Sequence, residues 1–308
     1  ETCELTPINL EDLENKSTRK SSYTTNYTGA LQLFTELQRI NKGRTAEYKK
    51  AFDIVFKWMM EFPSKTNKWG PFFEDVPRWS DTQINAITWA MFLMENTKLS
   101  PDWEKTVKNI FTWVYDSLTD NRYSKYNVKV IDEQTAYRQP GNSHSSRQAS
   151  MELLYWKLTG DTTYVRNAVK MLHWATYMVD HDGKNFYPTN DIWLTDGYGD
   201  YTRHYLRAMA ACPQLAPDNS DHLLQSSSVI KNISYTPEKI MYTTYDTVSN
   251  EVFRLQSKPA AIKVNNSTLN GWSWQSLDKG GVLTIEKSTG TQVEIIKGSA
   301  STLYGSGA

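Results

Sequence analysis

Cysteine is almost missing from this chain of 308 residues. The two present, Cys3 and Cys212, are too few for a disulfide framework or a thiolate metal site, and their spacing leaves open whether they pair. An excess of charge of one sign is missing as well. Lys plus Arg (34) balances Asp plus Glu (34), so no basic field draws the chain to nucleic acid or to an anionic membrane surface. No apolar run approaches the roughly 20 residues of a bilayer-spanning helix, so no membrane-spanning segment is expected. The five histidines are scattered without metal-site spacing, and neither a glycine-rich phosphate loop nor a nucleophile elbow occurs. Neither a metal nor a cofactor is therefore expected. The chain starts at Glu1 without a Met or a signal peptide, which suits a processed or trimmed chain whose upstream part is absent.

Aromatic residues are plentiful, with 11 Trp and 18 Tyr. Most belong in a core, but rings in polar loops are costly unless something stacks on them. Sugar rings are the usual partner of such platforms.

Residues 1–22 read as an irregular lead-in. Helical periodicity then begins, with Leu31, Phe34, Leu37 and Ile40 at spacings of three, and Tyr48, Phe52, Val55, Trp58, Met59 and Phe62 along a helix over 45–62. The run from Thr82 to Met94 is apolar on nearly every side, the pattern of a helix buried all round. Ser80 with Gln83 three residues later predicts a capping box at its start. Further helices are expected over 102–118, through Arg147 to Leu158, over 162–179, and from Asp200 to about Ala211.

A repeat emerges when these are superposed. Phe56-Lys-Trp58, Phe111-Thr-Trp113 and Leu172-His-Trp174 hold the same place in three amphipathic helices, their tryptophans 55 and 61 residues apart. Each is followed by a long aromatic loop (63–80, 119–142, 180–199) and then by a more buried helix. Short turns thus fall on one side of the hairpins and long loops on the other, and function is expected on the loop side. After a polar linker, placed at 213–228, short β-branched runs such as Ile240–Tyr245, Glu251–Leu255, Ala261–Val264, Val282–Ile285 and Gln292–Ile296 predict an antiparallel β domain over 229–297. Residues 298–308 read as a loose tail.

Helical hairpins with loops on one face, followed by a β-sandwich, resemble the six-hairpin (α/α) toroid enzymes of carbohydrate metabolism. The resemblance covers 23–211 and 229–297, and rests on this architecture, on the loop-to-buried-helix pattern of Trp69–Asn85, and on the β segment from Ala261 to Ile295. It implies a mainly α chain: an α/α toroid domain at 23–212 plus a small β-sandwich. Three and a half hairpins are present where a full ring has six, so the expected ring is partial. The implied partner is a poly- or oligosaccharide.

Glycoside hydrolases and polysaccharide lyases share that superfamily, and each needs its own residues. Hydrolysis needs one carboxyl as acid and a second as base or nucleophile. Glu74, Asp75, Asp81, Asp132, Glu133, Asp191, Asp196 and Asp200 lie in or beside the long loops. Asp75, among Phe72, Phe73, Pro77 and Trp79, and Asp196 lead the set. Asp81 and Asp200 also suit helix N-termini, where a carboxylate answers the dipole, and Asp132-Glu133 also suits a solvated turn. Elimination from a uronate-containing glycan needs a cation or amide on the sugar carboxylate and a Tyr or His as base. Asn142-Ser-His144-Ser-Ser-Arg147 and Tyr198-Gly-Asp-Tyr201-Thr-Arg203-His204 carry such groups into two helices, although histidines there also serve as hydrogen-bonded packing residues. Trp69, Trp79, Trp193 and Tyr198 are candidate sugar platforms, with Asp81, Asn142 and Arg203 as further substrate contacts. Paired-carboxylate hydrolysis is the first expectation, elimination the alternative, and noncatalytic glycan binding the third.

Overall fold

The computed structural model describes residues 25–41, 43–71, 80–136, 138–179 and 198–298, except for the side chains of 198–200. It divides into two compact units, residues 1–205 and 206–308.

The first unit is helical. Helices α1 (Thr28–Ile40) and α2 (Thr45–Glu61) form a hairpin, and a single turn, α3 (Pro63–Thr66), follows. Helix α4 (Gln83–Glu95) buries ten of its thirteen residues, as its all-round apolar sequence predicts. Helix α5 (Trp103–Leu118) is amphipathic, burying Val107, Ile110, Phe111, Val114 and Leu118 along one stripe. A two-stranded ribbon, β1 (Thr119–Asp120) with β2 (Val130–Ile131), then leads toward α6 (Asn142–Thr159). Helix α6 ends on Gly160 at φ +77°, a left-handed conformation that glycine adopts without steric cost. Helix α7 (Val165–Tyr177) is amphipathic again and packs closely along α6, and α8 (Tyr198–Ala211) follows.

Buried α4 and α6 thus alternate with half-buried α2, α5 and α7, as the repeat predicts, whereas α8, expected as a third buried helix, buries only His204, Ala208 and Ala211 among its described residues 201–211. The two buried helices are chemically opposite. Helix α4 is apolar, whereas α6 buries Asn142, Ser143, His144, Ser145, Ser146, Arg147, Gln148, Ser150 and Glu152. No described helix is long and apolar enough to cross a membrane.

The second unit holds antiparallel sheets. The strands are β3 (His222–Ser226), β4 (Ile230–Tyr235), β5 (Lys239–Thr244), β6 (Ser249–Leu255), β7 (Pro259–Val264), β8 (Ser267–Thr268), β9 (Trp272–Ser276), β10 (Gly281–Lys287) and β11 (Gln292–Lys297). One sheet runs β3-β6-β10-β9 and the other β4-β5-β11-β7-β8. Alternate residues of both, among them Tyr242, Phe253, Ile262, Leu283 and Ile295, meet in one apolar core. Strand β3 occupies part of the stretch read as a linker. Its sequence, His-Leu-Leu-Gln-Ser, lacks the β-branched alternation that marks the other strands. Cys212 is a buried free thiol whose Sγ lies 3.3 Å from Gln214 Oε1, and Cys3 lies outside the described residues.

Candidate active site at the helix N-termini

The start of α4 fastens the residues on both sides of the segment 72–79. Asp81 Oδ1 accepts the backbone N–H groups of Trp69 (2.6 Å) and Gly70 (3.0 Å). Asn85 Nδ2 donates to the carbonyls of Trp69 (3.0 Å), Gly70 (3.2 Å) and Pro71 (3.3 Å), while Thr25 Oγ1 donates to Trp69 O (2.5 Å). Gly70 takes a positive φ of 67°, which lets three successive carbonyls turn toward α4. On the far side, Ser80 Oγ accepts from Ala136 N (3.2 Å), Asp81 N donates to Thr135 Oγ1 (3.0 Å), and Gln83 N donates to Glu133 O (3.1 Å).

These contacts revise three sequence expectations. The capping box at Ser80 and Gln83 does not form: the N-cap is Thr82, without a side-chain cap bond, and both Ser80 and Gln83 bond elsewhere. Trp69 is fully buried with its ring 6.2 Å from that of Trp113, so in this conformation it offers no open face to a sugar. Asp81 holds backbone amides, the role of a loop anchor.

Helix α6 brings its N-terminus to that of α4. Gln83 joins them: its Nε2 donates to His144 O (3.3 Å) and its Oε1 accepts from Arg147 Nη1 (3.0 Å). Ser145 Oγ accepts from Ile131 N (3.1 Å), fixing β2 alongside. His144 is buried, with Nδ1 3.5 Å from Ser143 Oγ. Asn142, in the first turn, is buried, and neither its Nδ2 nor its Oδ1 has a hydrogen-bond partner. Leaving one buried polar group unpaired costs about 1–3 kcal/mol, so an amide with both ends unpaired is a poor stability element. The first N–H groups of α6 point out of the same end and carry the positive pole of the helix dipole. A helix N-terminus, a guanidinium, an amide and an imidazole thus gather at one place. The set suits an anionic oxygen better than a cation.

The carboxylates are arranged differently. Asp120 grips Arg122 through Nε and Nη2 and is held below the usual carboxylate range by that contact, against the opposing effect of burial. Asp132 is pushed up to about 6, chiefly by burial and then by the charge of Asp120, with Arg138 at 3.6 Å opposing. Asp120 and Asp132 are thus neighbours at the β1–β2 ribbon, and the charge of Asp120 adds to burial in raising Asp132. Glu152, fully buried, is raised to about 8 by desolvation, even though it accepts from Tyr115 Oη (2.5 Å) and Gln148 Nε2 (2.9 Å). Asn167 Nδ2 donates in turn to Tyr115 Oη (3.0 Å).

On α8, His204 is buried and Arg203 exposed. Tyr201 is half-buried, its Oη 3.2 Å from Thr176 Oγ1 and its ring 5.7 Å from that of Tyr205, and burial raises its phenol above the ordinary range. Asp75, Trp79, Trp193, Asp196 and the side chain of Tyr198 lie outside the described residues. Sequence reasoning missed Gln83 as a link, together with Asp120, Gln148 and Glu152. The available signal was the polarity of α6, where Gln148 and Glu152 stand four apart on a helix with no exposed face for them. Among the described residues, no three His, Cys, Asp or Glu side chains are grouped to hold a metal.

No protein-family model matches the sequence, and no curated protein matches it. Among the solved structures that it resembles are glycoside hydrolases of families 76 and 105 and a D-mannose isomerase. A family 76 glycoside hydrolase (mannosidase) from Bacteroides thetaiotaomicron is 10% identical, with a TM-score of 0.38 over 59% of this chain and 52% of its own. A family 105 glycoside hydrolase from C. acetobutylicum is 10% identical, with a TM-score of 0.46 over 66% and 61%. The family 76 α-1,6-mannanase of Salegentibacter sp. is 14% identical, with a TM-score of 0.39 over 66% and 60%. The chain spans about half to three-fifths of the length of these structures.

Proposed function

We propose that the protein is a carbohydrate-active enzyme, secreted or periplasmic, built as an arc of an α/α toroid followed by a β-sandwich. Its site is the polar mouth where α4 and α6 begin. The carrying observation is the buried Asn142 amide with no partner, five residues before Arg147, which hydrogen-bonds to Gln83. Amide, guanidinium and helix N-terminus together match a sugar carboxylate, and His144, in the same turn, supplies a proton acceptor. The reading is therefore β-elimination from a uronate-containing glycan. Asn142 and Arg147 neutralise the carboxylate so that the C5 proton becomes acidic. His144 accepts that proton, the C4–O bond breaks to leave a C4–C5 double bond, and the departing oxygen takes a proton from solvent water to leave as a hydroxyl. Tyr201, His204 and Arg203 enter this proposal as the second base and contact set.

Hydrolysis by Asp75 and Asp196 is the second reading. The fastened residues Pro71 and Ser80 favour it, because they tether the segment carrying Asp75 to the first turn of α4. Trp79, Trp193 and Tyr198 are proposed sugar platforms in either case.

The test is incubation with neutral and uronate-containing glycans, following reducing ends together with the ultraviolet absorbance of an unsaturated uronyl end. Both rising together, and both lost in Asn142→Ala, is the expected result. Reducing ends without absorbance would replace elimination by hydrolysis. Binding without either signal would leave a glycan-binding protein.

A further inference from the structure

The second unit carries apolar side chains that its own folding does not need. Val229, Tyr245 and Val248 are 68%, 67% and 65% exposed, and they gather at one end of the sheets, where Tyr245 N donates to Val229 O (2.8 Å). Exposed apolar groups that cluster, unlike single ones, mark interaction sites.

The turn presenting them is held unusually firmly. The Lys287 ammonium, almost wholly buried, donates to the carbonyls of Asp246 (2.9 Å), Thr247 (3.2 Å) and Gly290 (3.1 Å). Ser228 Oγ donates to Asp246 Oδ2 (2.8 Å) and accepts Asp246 N (2.9 Å), and Thr244 Oγ1 donates to Asp246 O (2.7 Å). Burying an ammonium is expensive unless its donors are satisfied. Here three carbonyls satisfy it, and the turn at 245–248 is fixed as a result. A fixed turn with an open aromatic ring is preorganised for a ligand, since little ordering cost remains at binding.

The charge beside the ring identifies the ligand class. Lys231 Nζ stands 5.0 Å from the Tyr245 ring centroid. The nearby Asp246 carboxylate is engaged by Ser228. An exposed phenol ring with an ammonium over one face presents an aromatic surface and an anion contact together. An acidic sugar offers the matching pair, an apolar ring face and a carboxylate.

We propose that Tyr245 and Lys231, flanked by Val229 and Val248, form a surface site for an acidic polysaccharide chain, separate from the helix-end site. The choice of an acidic glycan rests on the reading given under Proposed function. The site holds polymer and does no chemistry.

The test is native affinity electrophoresis of the full chain through gels containing polygalacturonate, alginate or neutral hydroxyethylcellulose. Turnover of a short oligouronide is measured in parallel. The expected result is retardation by an acidic polymer that Tyr245→Ala weakens about tenfold and Tyr245→Phe preserves, since stacking needs the ring and not the hydroxyl. Lys231→Met weakens retardation and flattens its salt dependence, and short-substrate turnover is the same in all variants. Wild-type mobility unchanged by both acidic polymers, equal retardation of Tyr245→Ala, or retardation by the neutral polymer alone would each overturn the proposal. Retardation without turnover leaves this site standing while the elimination reading falls, and turnover without retardation does the reverse.

Discussion

Gln83 Oε1 accepts a hydrogen bond from Arg147 Nη1 across 3.0 Å, joining the first turn of one buried helix to the second turn of another. One carboxamide therefore ties the two helix ends together and takes one of the guanidinium's hydrogen bonds. Gln83→Ala should cost about 1–3 kcal/mol, because it leaves a buried charged donor short of an acceptor. Urea unfolding measures that loss. Activity should fall further than stability, and turnover measured where the variant remains folded separates the two.

Asn142→Ala is expected to behave oppositely. With neither amide atom bonded, removing the side chain should leave stability unchanged or raise it slightly, while activity on glycans disappears. A variant that unfolds earlier than wild type by more than about 1 kcal/mol would show that the amide is structural.

How much of this was legible beforehand follows from which force positions each element. Apolar periodicity placed α4 within about two residues, because burial alone decides that helix. It also placed the helix through Arg147, but not its chemistry, since nothing local distinguishes Gln83 as a capping side chain from Gln83 as a bridge to a residue 64 positions away. Trp69 sits in a polar stretch and reads as exposed, yet Asp81, Asn85 and Thr25 draw its backbone inward. Asp132 was visible as a loop acid, whereas its neighbour Asp120, at the start of the same 119–142 loop, was passed over because it directly follows the helix over 102–118. The paired register of β1 and β2 is what brings them together.

Asp81→Asn is expected to keep the contacts to Trp69 N and Gly70 N, because a single oxygen, Oδ1, accepts both amide protons and the amide oxygen can replace it. Asp81→Ala should cost about 2–4 kcal/mol by releasing two buried N–H groups. Loss of turnover in Asp81→Asn with unchanged thermal unfolding would instead place Asp81 in the chemistry.

Glu152 makes stability depend on pH. Its carboxyl is raised from 4.5 to about 8 in the folded protein, so between those values the folded state keeps a proton that the unfolded state releases. Stability contributed by this group is thus greatest at low pH, falls by at most about 1.4 kcal/mol per unit as pH rises through the window, and levels off above 8. Glu152→Gln keeps an oxygen for Tyr115 and Gln148 and removes the slope. Urea midpoints from pH 5 to 9 should therefore flatten in the variant. Parallel curves would show that Glu152 is ionised throughout.

Lys287→Met should release three carbonyls and cost about 2–3 kcal/mol. Hydrogen exchange at 245–248 should quicken while the sheet core keeps its protection.

The polar first half of α6 also governs how freely this sequence can change. In an apolar buried helix such as α4, one aliphatic side chain replaces another at a cost usually below about 1.5 kcal/mol. In α6 most of the polar side chains after Asn142 answer a particular donor or acceptor, as Ser145 answers Ile131 N and Gln148 answers Glu152, and an aliphatic substitute answers none. The polar positions from Ser143 to Ser150 should therefore be the least replaceable of the helical unit. A saturation-mutagenesis map that scored α4 as equally intolerant to aliphatic exchange would contradict this.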